Sequence, residues 1–103
     1  MSELNQLYGQ AEQVSLLLKT MAHPERLLVL CTLCEGEANV GLLHSHSKLG
    51  QSAFSQHLQV LKEHGLVKVR KQSQMVFYSL ADERIQKLLG TLQDNFCQDM
   101  SKA

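Results

Sequence analysis

Residues 51–80 read QSAFSQHLQVLKEHGLVKVRKQSQMVFYSL. Over 51–64, Ala53, Phe54, Leu58 and Leu61 fall together on a 3.6-residue period, so they form the inward stripe of an amphipathic helix. Gly65 stands where a left-handed cap ends such a helix. Beyond it the period changes to two. From Leu66 to Arg70, Val67 and Val69 alternate with Lys68 and Arg70, as in a strand with one face covered. Lys71 to Gln74 make a polar, basic tip, and Met75 to Leu80 are the return strand. The stretch is a helix, a glycine stop and a basic-tipped hairpin.

Working outward, Leu4, Leu7, Ala11, Val14, Leu18 and Met21 recur at spacings of three and four, which predicts a first helix. His23-Pro24 punctuates it, and proline suits the first turn of a second helix. That helix carries Arg26, Leu27, Leu28, Leu30, Cys31 and Cys34 and ends near Gly36. Val40 to about Ser47 reads as a short third helix, and Leu49-Gly50 as a turn. Glu83 to Cys97 forms a last helix with Ile85, Leu88, Leu89, Leu92 and Phe96 apolar. The order is ααααββα, a mainly α chain. A short helix, a tight turn, a longer helix and a hairpin make a winged helix-turn-helix. We take 1–103 as a single domain, with the reading unit at 39–80. The first and last helices, about 4–21 and 83–98, carry more apolar surface than so small a domain uses. A symmetric dimer buries that excess.

Composition narrows the function classes. At 103 residues there is room for one core, and 44% apolar residues argue against disorder. Tryptophan is absent and aromatics are 5%, so the core is aliphatic. No apolar run approaches the roughly 18 residues that span a bilayer. The start, MSELNQLYGQAEQ, lacks the basic-then-apolar pattern of a signal peptide. A cytoplasmic protein is expected, with no membrane partner. Three cysteines, Cys31, Cys34 and Cys97, are too few for a disulfide scaffold and are expected to be reduced. No Gly-rich phosphate loop and no nucleophile–base pair stands out, so neither enzyme activity nor a cofactor is expected.

Net charge is zero but unevenly placed. From Lys48 to Gln72, five cations (Lys48, Lys62, Lys68, Arg70, Lys71) face one anion (Glu63), a net of +4. The remainder is −4, with five cations and nine anions. Positive charge therefore gathers on the unit suited to double-stranded DNA. In a helix-turn-helix the start of the second helix meets base edges. Here that start offers Gln51, Ser52, Ser55, Gln56 and His57, short or amide-bearing side chains able to bond phosphates or bases. Lys68, Arg70, Lys71 and Gln74 belong to the wing and face phosphates or the minor groove.

Two quoted stretches carry a resemblance. LLKTMAHPERLLVLCTL at 17–33, with its His23-Pro24-Glu25-Arg26-Leu27 core, and the stretch at 51–80 are together similar to the ArsR/SmtB family of bacterial winged-helix repressors. The similarity runs from about Leu16 to Cys97 and is strongest to the biofilm-growth-associated (BigR-type) and haemolysin-regulator (HlyU-type) members. It implies a homodimer on a palindromic operator and an inducer that lowers DNA affinity. One departure is Gly50, where many relatives have a Ser or Thr helix cap; glycine is a weaker cap.

The family's metal-sensing patterns are missing. Where arsenic and cadmium sensors carry a Cys-Val-Cys box, this chain has Asn39-Val40-Gly41-Leu42. Where zinc sensors carry histidines on the last helix, it has only Asp82, Glu83, Asp94 and Asp99. No resident metal is therefore assigned. By the same resemblance, Cys31 and Cys97 match the thiol pair of BigR-type members that respond to reactive sulfur. In those relatives persulfides join the two thiols by a disulfide or a polysulfide chain. Cys34, one turn beyond Cys31, stays open as core, rival thiol or third ligand. Two alternatives stand beside the sulfur switch. One is a soft-metal-responsive repressor using Cys31, Cys34 and Cys97. The other is an inducer-free anti-silencer of virulence-type genes. His44, His46 and His64 are weaker candidates for ligands.

Replacing Gln56 tests the reading helix. Gln56→Ala should weaken specific DNA binding by about 1–3 kcal/mol if Gln56 reads a base. Unchanged affinity and an unchanged ranking of operator variants would remove Gln56 from the interface.

Overall fold

The computed structural model describes residues 2–97. Gln98, at the end of the expected last dimer helix, and Asp99 lie outside the described residues. The elements are α1 (Ser2–Met21), α2 (Pro24–Leu33), β1 (Ala38–Asn39), α3 (Val40–Ser45), α4 (Gln51–Glu63), β2 (Val67–Gln72), β3 (Met75–Leu80) and α5 (Glu83–Phe96). No described helix is long and apolar enough to cross a membrane.

Local chemistry places the helix ends. Pro24 opens α2, and His23 before it is extended, its ring nitrogen accepting the Glu25 N–H at 3.1 Å. The Asn39 side chain accepts the Leu42 N–H at 2.8 Å and caps α3. Asp82 accepts the Arg84 N–H at 2.8 Å and caps α5. These short polar side chains satisfy N–H groups that no preceding turn can reach. α4 starts differently, since Gly50 supplies the extended backbone without a side-chain acceptor. At its other end Gly65 has φ +75. The Gly65 N–H donates to the Lys62 carbonyl and the Leu66 N–H to the Leu61 carbonyl at 2.9 Å. That bond pair is a Schellman motif, and the burial of Leu61 and Leu66 supplies its usual apolar contact.

The wing has three strands in the order β1-β3-β2, all antiparallel. β2 and β3 pair from Val67↔Leu80 to Gln72↔Met75, leaving Ser73 and Gln74 as a two-residue loop. Ser73 takes φ 57, the sign a type II′ hairpin turn needs at its first loop residue. β1 was not expected from the sequence. Its two residues are too short to alternate, and Asn39 also serves as the α3 cap. By pairing Ala38 with Tyr78 and Asn39 with Phe77, β1 anchors the wing to the start of the helix-turn-helix.

The core lies where α2, α4, α5 and the hairpin base meet. Leu30, Leu33, Leu43, Phe54, Leu58, Leu61, Leu66 and Leu89 are buried there. Ala53, expected to face inward, is exposed. Phe54, one residue or about 100° further round the helix, takes the core position, and Ala53 is turned to its flank. α1 docks through its C-terminal half, where Leu17 is half-buried and Thr20 and Met21 are buried. The Thr20 hydroxyl donates to the Leu16 carbonyl at 2.8 Å, so its burial leaves no orphan polar atom. Leu4, Leu7, Tyr8, Val14 and Leu18 are left exposed.

Neither Gly50 nor Gly65 has a neighbour within 4 Å of an added Cβ, so only backbone conformation separates them. Gly65→Ala should destabilise the protein by about 1 kcal/mol, because its φ is left-handed. Gly50→Ser should gain a few tenths of a kcal/mol by adding the missing cap. Chemical denaturation of both variants checks the pair; equal effects would show that φ is not what separates them.

Candidate nucleic-acid interface and thiol groove

Buried Phe54, Leu58 and Leu61 fix the rotation of α4, so its opposite face must point outward. Ser52 and Gln56 are exposed on that face, Ser55 on its flank, and Gln51 is exposed at the open first turn of the helix. His57 is placed differently. It is half-buried, its ring centroid 4.2 Å from that of His23 at a 40° tilt. Burial holds the His57 imidazole below its ordinary pKa, and the positive fields of His23 and Arg26 add to this against Glu25.

A second contact orients the entry to α4. The Ser47 hydroxyl donates to Glu25 Oε1 at 2.6 Å and accepts the Leu49 N–H at 2.9 Å. The Ser47 bond holds the Glu25 carboxyl below the usual carboxylate range. The turn of the helix-turn-helix is thereby tied to the first turn of α2. His44 closes the same turn, one ring nitrogen meeting the Leu49 carbonyl at 2.9 Å and its ring packing on Phe54. His64 bonds the Val60 carbonyl at 2.9 Å. Both therefore spend a ring nitrogen on the backbone, while His46 is exposed.

On the wing, Lys68, Arg70 and Lys71 of β2 and Gln74 of the loop are exposed. Arg70 alone among them is clamped. Its Nε and Nη2 donate to Glu37 at 3.0 and 2.7 Å, its Nη1 donates to Gln72 at 2.7 Å, and its guanidinium lies 4.7 Å from the Phe77 ring centroid. The Arg70 guanidinium beside it holds the Glu37 carboxyl below the usual carboxylate range. Positions 37 and 70 are 33 residues apart, and no spacing in the sequence announces the pair.

Cys31 and Cys97 come together by another route. α2 and α5 flank an open, apolar groove of about 530 Å³ whose lining includes Leu28, Cys31, Leu92, Gln93, Phe96 and Cys97. No disulfide is present; Cys31 is half-buried and Cys97 exposed. Burial pushes the Cys31 thiol up, the Gln93 side chain opposes this, and a charge on Cys97 would push it higher. Cys34 is half-buried outside the groove lining, and its thiol is also pushed up, first by burial and then by Cys31 and Glu35. Among the described residues no three His, Cys, Asp or Glu side chains converge as metal ligands would. Asp82 is engaged elsewhere, its carboxyl held down to about 2 by the bonds from Arg84.

The His57 shift has a pH consequence. The folded state holds this proton less readily than the unfolded chain, whose imidazole titrates near 6.5. Its contribution is present above that value and is lost as pH falls through the lower folded value. The drop in thermal unfolding midpoint from pH 7 to pH 5 should therefore be smaller in His57→Gln. An equal drop would place the acid sensitivity in other groups.

Residues 23–69 match the model of the bacterial regulatory protein, arsR family. A biofilm growth-associated repressor of Agrobacterium fabrum is 42% identical over 88 residues, covering 85% of this chain and 75% of that protein. The transcriptional activator HlyU of Vibrio cholerae is 40% identical over 95 residues, covering 92% and 88%. The structure of reduced HlyU superposes with a TM-score of 0.85, covering 90% of this chain and 98% of that one. More distantly, a homodimeric winged helix-turn-helix DNA-binding domain from Mycobacterium bovis is 26% identical with a TM-score of 0.77, covering 95% and 91%. With the winged fold in place and these relatives, transcriptional regulators and not enzymes, spanning most of its length, the chain belongs to the ArsR family of bacterial transcriptional regulators, in the group of the biofilm-growth repressors and HlyU.

Proposed function

We propose that this regulator is a cytoplasmic homodimer that grips a palindromic operator in its reduced state and releases it when reactive sulfur or an oxidant joins Cys31 to Cys97. The observation that carries the switch is that both thiols open onto one apolar groove between α2 and α5, with Cys34 outside its lining. The dimer reading rests on the exposed Leu4, Leu7, Val14 and Leu18 of α1 and on Phe96, which is 77% exposed at the end of α5. So large an apolar surface suits a second copy of the chain, and the M. bovis relative is homodimeric.

DNA contact falls to Gln51, Ser52, Ser55 and Gln56 of α4, with His57 at the edge of that face. Lys68, Arg70, Lys71 and Gln74 follow from the wing. Two recognition helices held about one duplex turn apart would read two half-sites. The sulfur chemistry balances without a further reagent. A thiolate attacks the outer sulfur of a persulfide, gains that sulfur and releases the carrier thiol. A cysteine persulfide and the second thiol then form a disulfide with loss of hydrogen sulfide. Two cysteine persulfides form a trisulfide with the same loss. Either link joins α2 to α5 and biases the dimer between two spacings of α4. The soft-metal alternative lacks comparable support, since no three-ligand cluster exists among the described residues. Whether operator occupancy lowers or raises transcription is a property of the promoter, and the relatives include both a repressor and an activator.

The test uses reduced protein, an operator selected from random duplexes, and glutathione persulfide or peroxide as the reagent. Operator affinity should fall about 10-fold or more as a Cys31–Cys97 link appears by intact mass and peptide mapping. Cys34→Ser should respond like the parent and Cys97→Ser should not. Unchanged affinity after a confirmed link, or a full response in Cys97→Ser, would sink the switch.

A further inference from the structure

Arg70 differs from the other wing cations in being immobilised. A guanidinium has five N–H groups in one plane. Three donate to Glu37 and Gln72, which leaves one N–H on each terminal nitrogen uncommitted. Bidentate pairing fixes the plane, and the Phe77 ring supports it from below. Phe77 is the direct cross-strand partner of Arg70, and Glu37 sits one residue before β1, which pairs Asn39 to the same Phe77. The two-residue strand β1 is therefore what brings Glu37 to the wing. Lys68 and Lys71 make no ion pair among the described residues.

We propose that Glu37 is a specificity-determining residue: it presents Arg70 to DNA as a pre-set two-pronged donor while cancelling its charge. This deepens the operator-binding reading and rests on it. Mobile lysines attract any phosphate, and binding through them is non-specific and salt-dependent. A neutralised, oriented guanidinium adds little of that attraction. It favours only duplexes that place an acceptor, a minor-groove base edge or a phosphate in a particular groove shape, on its two free N–H groups. The opposing possibility is that Glu37 competes with DNA for Arg70 and simply weakens all binding.

Glu37→Gln separates the two. It keeps the shape but frees the Arg70 charge. The full chain is titrated with its selected duplex and with an unrelated duplex across a series of salt concentrations. Affinity for the unrelated duplex should rise, and its log–log salt slope should steepen by about one per protomer. The ratio of specific to unrelated affinity should fall several-fold. Arg70→Lys, which retains charge without the fork, should lower the same ratio, and the double variant should lower it no further than either alone. A ratio that holds or rises in Glu37→Gln, or a full additional fall in the double variant, would overturn the proposal. Should Glu37→Gln unfold, an unaltered ratio in Arg70→Lys overturns it equally. A parent protein that prefers no duplex at all would instead overturn the operator-binding reading, and this inference with it.

Discussion

The buried stripe of α4 is the constraint on which the other features depend. Phe54, Leu58 and Leu61 are 1%, 3% and 0% exposed, packed against α2 and the base of the hairpin. Each such side chain contributes roughly 1.5–3 kcal/mol on burial. Together they far outweigh the few tenths of a kcal/mol that a glycine N-cap forgoes. α4 is therefore held by its side, not by its end. Once its rotation is set, Ser52 and Gln56 at its start can only point outward, while His57 is turned against His23.

α2 is the partner in that contact and is also one wall of the thiol groove. Its first turn meets the helix-turn-helix turn through Glu25 and Ser47, and His23 meets His57. Its middle supplies Leu30 and Leu33 to the core and Cys31 to the groove. This ten-residue helix thus packs against α4 on one side and lines the groove with α5 on the other. Close-packed interiors transmit small displacements rather than absorbing them. The proposed link from α2 to α5 would act on the same helix that positions α4, which is why the groove's location matters more than its volume.

The wing obeys a different balance. An exposed ion pair such as Arg70–Glu37 adds little to stability, so its geometry is better explained by what it presents than by what it holds together. Without β1 there is no reason for Glu37 to lie beside the hairpin. Two residues of strand bring Glu37 beside β2 and give the wing one fixed donor, Arg70.

Much of this was legible in the chain order. Local periods reveal themselves within a few residues, because a helix or strand repeats its own burial pattern. Hence the four main helices, the Met75–Leu80 return strand and the left-handed Gly65 were all readable. Ala53 misled because its neighbour Phe54 competes for the same face, and only packing decides which side chain takes the core. β1 was too short to show alternation. The Glu25–Ser47 and Glu37–Arg70 contacts join positions 22 and 33 residues apart. Likewise, Gln93 approaches Cys31 only because α5 folds back along α2. Pattern and punctuation in the sequence by itself determined every element but β1, their order and where positive charge gathers. The tertiary structure alone decided which side chains face each other across them, because that depends on how the buried faces dock, and no local period encodes it.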